Sequence, residues 1–322
     1  MPRSHAFPIV FATAALFVVS SGCGGGPSTS ISPSANDGGP LTGAIRIDGS
    51  STVYPISEAV AEEFNQVEPR VRVTVSLSGT GGGMKKFSAG EIDICNASRA
   101  IKDKEKEACH AAGIEYLELE VAYDGLAVVV HPENDWVDCL TVAQLKELWR
   151  PESTVTKWSD LNPEWPDQEI TLYGPGTDSG TFDYFVEEIV GEERASRADY
   201  TASEDDNVLV TGVQGDRYAL AYFGVAYYEE NKDRLKLVAV DGGDGCRKPS
   251  LTTVRDGTYT PLSRPLFIYV RKDSLERPEV AAFVKFYLEH AAELAADVGY
   301  IPLPAEASQT NAQRLEAALK TE

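Results

Sequence analysis

Ile170-Thr171-Leu172-Tyr173-Gly174-Pro175-Gly176-Thr177-Asp178-Ser179-Gly180-Thr181-Phe182 joins an apolar, strand-compatible run to the helical pattern that follows from Phe182 to Val190. A strand, a glycine-rich turn and a helix start point free backbone N–H groups at an anion. Ser179 and Thr181 add hydroxyl donors, and Asp178 adds one acceptor among them. Earlier in the chain the same rhythm occurs three times. Ile45-Arg46-Ile47-Asp48 enters Gly49-Ser50-Ser51-Thr52-Val53-Tyr54-Pro55, after which Ile56, Val60 and Phe64 fall at helical spacing. Val71 to Val75 enters Ser78-Gly79-Thr80-Gly81-Gly82-Gly83, with Met84 to Phe87 helix-compatible behind it. Ile92-Asp93-Ile94 ends in Asn96-Ala97-Ser98-Arg99. This is an α/β pattern in which ligands collect at the carboxyl ends of parallel strands.

Two extended apolar runs stand out, the first longer than one strand of a small domain needs. Tyr116 to His131 has a polar break near Ala122 to Gly125, and Pro265 to Val270 is the natural return. Together they predict two α/β lobes crossed twice by the chain, with a cleft between them. Lys102 to Ala112 reads as a charged helix. Thr141 caps another that begins at Val142, and Pro278 to Val298 forms the last long one.

The 322-residue chain has room for two domains. Its first stretch belongs to neither. Arg3, an apolar run from Ala6 to Val19, and Ser20-Ser21-Gly22-Cys23 have the layout of an export signal too short to span a membrane comfortably. The cysteine after small residues predicts a lipoprotein in which Cys23 is acylated, although Ser20 stands where such signals usually carry Leu or Val. Gly24 to Pro40, rich in Gly, Ser and Pro, reads as a tether. The folded body is therefore expected outside the cytoplasm, in the periplasm or at the cell surface, held to the membrane by the N-terminal lipid alone.

Four cysteines remain of five: Cys95, Cys109, Cys139 and Cys246. In an exported chain they suggest two disulfides. Of three pairings, proximity favours Cys95 with Cys109, leaving Cys139 with Cys246. No CxxC spacing supports zinc, and no metal or cofactor is expected. The net charge of −21 is spread along the chain, which argues against nucleic acid but not against a small anion held by local donors.

Each polar loop is weak alone, because most glycine-serine turns only connect elements. Together, the hydroxyls of Ser50, Ser51, Thr52, Ser78, Thr80, Ser98, Ser179 and Thr181, the close-approach glycines Gly79, Gly81, Gly82, Gly176 and Gly180, Arg99 and one carboxylate form an inventory suited to a tetrahedral oxyanion. At this point the sequence resembles the phosphate-binding proteins of bacterial phosphate ABC importers, of the PstS and SphX type. The carrying segments are Asp48 to Ser57, Ser78 to Gly83, Asn96 to Arg99, Tyr173 to Phe182, Ser203 to Val210 and Arg264 to Val270.

The resemblance implies a type II periplasmic-binding-protein fold: two α/β lobes joined by a two-strand hinge, with the ligand in the cleft. On this reading residues 1–22 are the signal and 23–40 the tether. Residues 41–123 with 266–322 form one lobe, and 124–265 the other. It also implies a monomer that captures inorganic phosphate and delivers it to ABC permease subunits. By position, the first-loop donors fall on Ser51 and Thr52, the second-loop hydroxyl on Thr80, and the helix-start donors on Ser179, Gly180 and Thr181. The acidic position of the better-known branch falls on Arg99, and that branch's arginine, four residues before the serine, falls on Pro175. The expectation is therefore that Asp178 accepts the phosphate proton and pairs with Arg99 across the closed cleft. The alternative is that Asp178 only caps the following helix. Lys85 and Lys86 read as solvated helix positions.

An enzyme fits poorly. Asp178-Ser179-Gly180-Thr181 spells one aspartic-protease half-site without the second carboxylate such enzymes need. No Gly-x-Ser-x-Gly occurs, and the histidines lack metal-ligand spacing. A sulfate or molybdate binder on the same fold, or an adhesion or signalling lipoprotein, remain as alternatives.

Overall fold

Gly43–Gly49 is the middle strand of a parallel trio, flanked by Val71–Leu77 and Ile94–Ala97. The computed structural model describes residues 40–192 and 194–320, so the expected signal, Cys23 and the tether as far as residue 39 lie outside the described residues. Helix Tyr54–Val67 follows the first strand, with Pro55 near its start. It buries Ile56, Val60 and Phe64, one apolar stripe at i, i+4 and i+8. That stripe packs on helix Pro278–Asp297, where Phe64 meets Phe283 edge-on at 5.2 Å and Phe286 at 5.4 Å. Truncating a buried Phe costs about 3–5 kcal/mol. Losing the Thr141 cap, whose hydroxyl accepts from Gln144 N–H, costs about 1 kcal/mol. Packing, rather than capping, therefore fixes the helices here.

Strand Tyr116–Val130 runs through both lobes. Its first part lies antiparallel to Ser263–Arg271, which in turn pairs with Ile94–Ala97. Its second part pairs with Ala219–Gly224 and Lys236–Asp241. A β-bulge interrupts the ladder where Leu266 opposes Ala122 and Phe267 opposes Glu120. Strand Thr171–Pro175 lies parallel to both Ala219–Gly224 and Thr201–Ser203. One large core gathers Val128, Trp149, Phe185, Tyr222 and their neighbours, and another gathers Ile47, Phe64, Ile268 and Phe283. The result is the expected two-lobed α/β architecture. The polar break near Asp124 falls at the crossing.

Of the two expected disulfides, one is formed and the other is not. Cys139 and Cys246 form a disulfide, Cα to Cα 6.0 Å, joining two short strands that both pair with Lys236–Asp241. Cys95 and Cys109 are free and buried. Both sit in a small apolar cluster with Met84, Phe87 and Tyr269. Desolvation there raises both thiol pKa values and keeps the thiols protonated. Proximity along the chain was a poor guide, because strand and helix geometry decides which cysteines face each other. No helix among the described residues is long and apolar enough to cross a membrane.

Candidate functional site

The first loop is built on close backbone packing. Ser50 N–H donates to the Asn96 carbonyl at 3.0 Å, and Ser78 N–H donates to that of Gly49 at 3.1 Å, so three strand ends are tied together. The glycine run that reads as a loop is in fact helix Gly79–Ser88, which begins directly after Ser78. A Cβ on Gly83 would stand 2.6 Å from Gly49 Cα, so these glycines let the helix lie against the first loop. Thr80 exchanges hydrogen bonds with Ser98, its Oγ1 3.1 Å from Ser98 Oγ and accepting from Ser98 N–H at 3.2 Å. Lys86 is not simply solvated: it pairs with buried Asp48, which also accepts from Ser78 Oγ at 2.6 Å.

In the second lobe, Ser179 is the N-cap of helix Gly180–Phe185, and its Oγ accepts from Thr181 N–H at 3.1 Å. A π-helical turn, Val186–Val190, continues it. The cap is thus Ser179 and not Asp178. Asp178 is exposed and makes no hydrogen bond or ion pair among the described residues.

The two loops meet. Ser51 Oγ donates to Asp183 Oδ2 at 3.1 Å, and Thr52 Oγ1 donates to the Gly180 carbonyl at 3.4 Å. A Cβ on Gly180 would lie 2.7 Å from Thr52 Cα, closer than any side chain tolerates. Ser51 and Thr52 are thereby brought to the helix start that carries Ser179, Gly180 and Thr181.

The expected pair between Arg99 and Asp178 is not formed. Arg99 instead makes a two-pronged pair with Glu105, at 2.9 and 2.8 Å, within its own lobe. Helix Asp103–Ala111 follows, with Lys102 at its N-cap, and Glu105 folds back over that helix start to accept from Lys102 N–H. The guanidinium is therefore already satisfied.

The cation that touches both loops is Arg264, on the return strand Ser263–Arg271. Its Nη2 donates to Thr52 Oγ1 at 2.9 Å, and its Cζ stands 3.5 Å from the centre of the Tyr184 ring. Its counter-charge is Asp124 on the crossing strand, with Nε at 3.4 Å and Nη2 at 3.3 Å from Oδ2. The Asp124 carboxyl pKa is raised by burial, an effect that Arg264 opposes. Glu188 is raised for the same reason and is likewise opposed by Arg264. Sequence reasoning noted both Arg264 and the polar break at Asp124, but had no means of bringing them together. The legible signal was the polar break at Asp124 in one crossing run and the charge of Arg264 directly before the other.

The geometry can hold a small oxyanion: hydroxyls from one lobe, backbone N–H groups at a helix start from the other, and one arginine behind both. Residues 34–290 match the family model described as a PBP superfamily domain. The chain is 51% identical over 267 residues to the protein SphX of Synechocystis, covering 82% of this chain and 80% of that one. It is 41% identical to the phosphate-binding protein PstS of Staphylococcus saprophyticus, over 88% of this chain and 85% of that one. A crystal structure from Planctomyces limnophilus, of a protein described as a possible phosphate-binding protein, superposes with a TM-score of 0.84 at 51% identity, covering 87% of this chain and all of that one. The chain belongs to the PBP superfamily and, within it, to the family of SphX and PstS phosphate-binding proteins.

Proposed function

We propose that this protein captures inorganic phosphate outside the cytoplasm and delivers it to an ABC-type importer. The observation that carries the reading is the meeting of the Ser51–Thr52 loop with the Gly180 helix start, with Arg264 bound to Thr52 behind them. The ligand set is Ser51, Thr52, Ser179, Gly180 and Thr181, with Thr80 and Arg99 on the wall of the first lobe. Arg264 supplies the positive charge nearest the anion, because it donates to Thr52 where the two loops meet, whereas Arg99 is turned to Glu105 within its own lobe. The lobes are 41–123 with 266–322, and 124–265, and they close on the anion by bending at the two crossing strands. The protein acts as a binder rather than a catalyst, works as a monomer, and is held to the membrane by acylated Cys23.

Calorimetric titration with phosphate, sulfate and molybdate tests the assignment. Phosphate should bind far more tightly than the other two and raise the melting temperature, since it binds the native state alone. Sulfate or molybdate binding as tightly as phosphate would refute it, and turnover of phosphate esters would refute the non-catalytic role.

A further inference from the structure

Asp48 lies near the end of the middle strand of the first lobe, directly before Gly49 and the Ser50 to Thr52 loop, and is 4% exposed. Its Oδ1 accepts from Ser78 Oγ at 2.6 Å, and its Oδ2 pairs with Lys86 from the last turn of helix Gly79–Ser88. One carboxylate therefore grips that helix at its start and again in its last turn. Ser78 occupies the N-cap position, yet its side chain makes no capping hydrogen bond. It is not too far away to cap, since a Cβ on Gly82 would stand 2.8 Å from Ser78 Oγ. The helix start in the second lobe is built the other way: its N-cap hydroxyl, Ser179 Oγ, does accept from Thr181 N–H.

We propose that Asp48 is a positioning residue for the phosphate site: by holding the Ser78 hydroxyl it prevents that serine from capping its own helix, and so keeps the N–H groups beside Thr80 free for the anion. The assignment rests on the phosphate reading above, in which Thr80 lines the site. A serine at the N-cap ordinarily accepts from the N–H two or three residues on, which here are those of Thr80 and Gly81. A hydroxyl and an anion compete for such an N–H, because each fills the same unsatisfied donor. The carboxylate is a strong acceptor for the one proton of Ser78, and a charge-assisted bond of this length fixes where the side chain points. Lys86 offsets the negative charge that Asp48 would otherwise set behind an anion site. Asp48 acts through Ser78 and touches no part of the anion.

Calorimetric titration of the full chain with phosphate, paired with thermal unfolding, tests this. Asp48→Ala frees Ser78 to cap, and phosphate affinity should fall by about five- to tenfold, the worth of one cap turned against the ligand. Asp48→Asn still offers Ser78 an acceptor and should lose less. The discriminating variant is Asp48→Ala with Ser78→Ala, which has no hydroxyl left to cap. It should bind phosphate more tightly than Asp48→Ala while melting at a lower temperature, because the helix has lost its cap. A merely structural Asp48 would move stability and affinity down together, so a double variant that binds no more tightly than Asp48→Ala overturns the proposal. A folded Asp48→Ala with wild-type affinity does the same, and both results leave phosphate capture standing. Should Asp48→Ala not fold, hydrogen exchange of the wild type decides. The Thr80 and Gly81 amides should exchange readily without phosphate and become protected with it; protection already present without phosphate overturns the proposal. A wild type that binds no phosphate removes the functional reading and the proposal with it.

Discussion

Replacing Arg264 by Met keeps most of the side-chain volume and removes the charge, which separates two jobs of one residue. The first job is structural. Asp124 is 2% exposed, and Arg264 is its cation. Breaking a buried pair by removing one partner costs about 3–5 kcal/mol. Loss of the guanidinium from the Tyr184 face adds about 0.5–2 kcal/mol. The melting temperature should therefore fall by on the order of 10 °C.

The loss should also depend on pH. Burial already holds the Asp124 pKa above its unfolded value, and without Arg264 that rise is unopposed. A carboxyl with a raised folded pKa binds more protons when folded, so its stability contribution falls as pH rises from the ordinary carboxylate range through the folded value. Arg264→Met should lose most against wild type above that range and least in acid. The double variant Arg264→Met with Asp124→Asn removes the stranded charge and should recover most of the stability. It should not recover phosphate binding, because the second job, the charge beside Thr52, is still gone. Differential scanning calorimetry across pH and phosphate titration of both variants check this. Full binding by the double variant would refute Arg264 as the cation of the site. Full stability of the single variant would refute the structural role.

Gly180→Ala should impair closure, because its Cβ would enter the space of Thr52 Cα; a strain of about 1–3 kcal/mol placed on the closed form should appear as weaker phosphate binding in titration. Asp206 has a carboxyl pKa pushed up to about 7, chiefly by burial and then by Asp205 and Glu204. Its folded state therefore holds the extra proton, and stability should decline as pH rises from about 4 towards 7. Asp206→Asn should flatten that decline in melting curves taken across the range. Cys139→Ser should lower stability by about 2–5 kcal/mol in denaturant titration, since the bond closes a loop with a sequence separation of 107. Reducing agent should leave that variant unchanged, as the other described cysteines are free thiols.

Much of the fold was legible because it rests on local patterns. The stripe of Ile56, Val60 and Phe64, the cap at Thr141 and the long runs at Tyr116 and Pro265 each carry their periodicity in a short window. The loop hydroxyls were legible for the same reason, since a strand end followed by a helix start fixes where they point. The partners were not. Arg99 lies six positions before Glu105, and nothing local says whether it turns to that carboxylate or to the cleft; the two-pronged pair within the lobe won because it needs no closure. Arg264 and Asp124 meet only through antiparallel register between two strands 140 positions apart. The run at Gly79 was read as a loop because glycine weakens helices, yet packing against Gly49 requires glycine inside one. Asp178 looked decisive because it stood among donors, whereas helix geometry turns Asp183, one turn after Ser179, towards Ser51.

On the proposed closure, the bulge in the ladder at Leu266 and Phe267 would serve as a mechanical joint without a flexible linker. A strand clamped in a core at each end behaves as a beam, and a beam bends where its cross-bracing is interrupted. Here the bracing by the return strand is interrupted between Glu120 and Ala122, next to buried Asp124 and its arginine, while Pro302 and Ile301 pair along the other edge. On the closure proposed above, rotation about that point would carry each lobe as a rigid body and displace the loop ends most, since they lie farthest along the lever. The ion pair sits close to the pivot, where displacement is least, and so can keep its contact while the jaws open and shut.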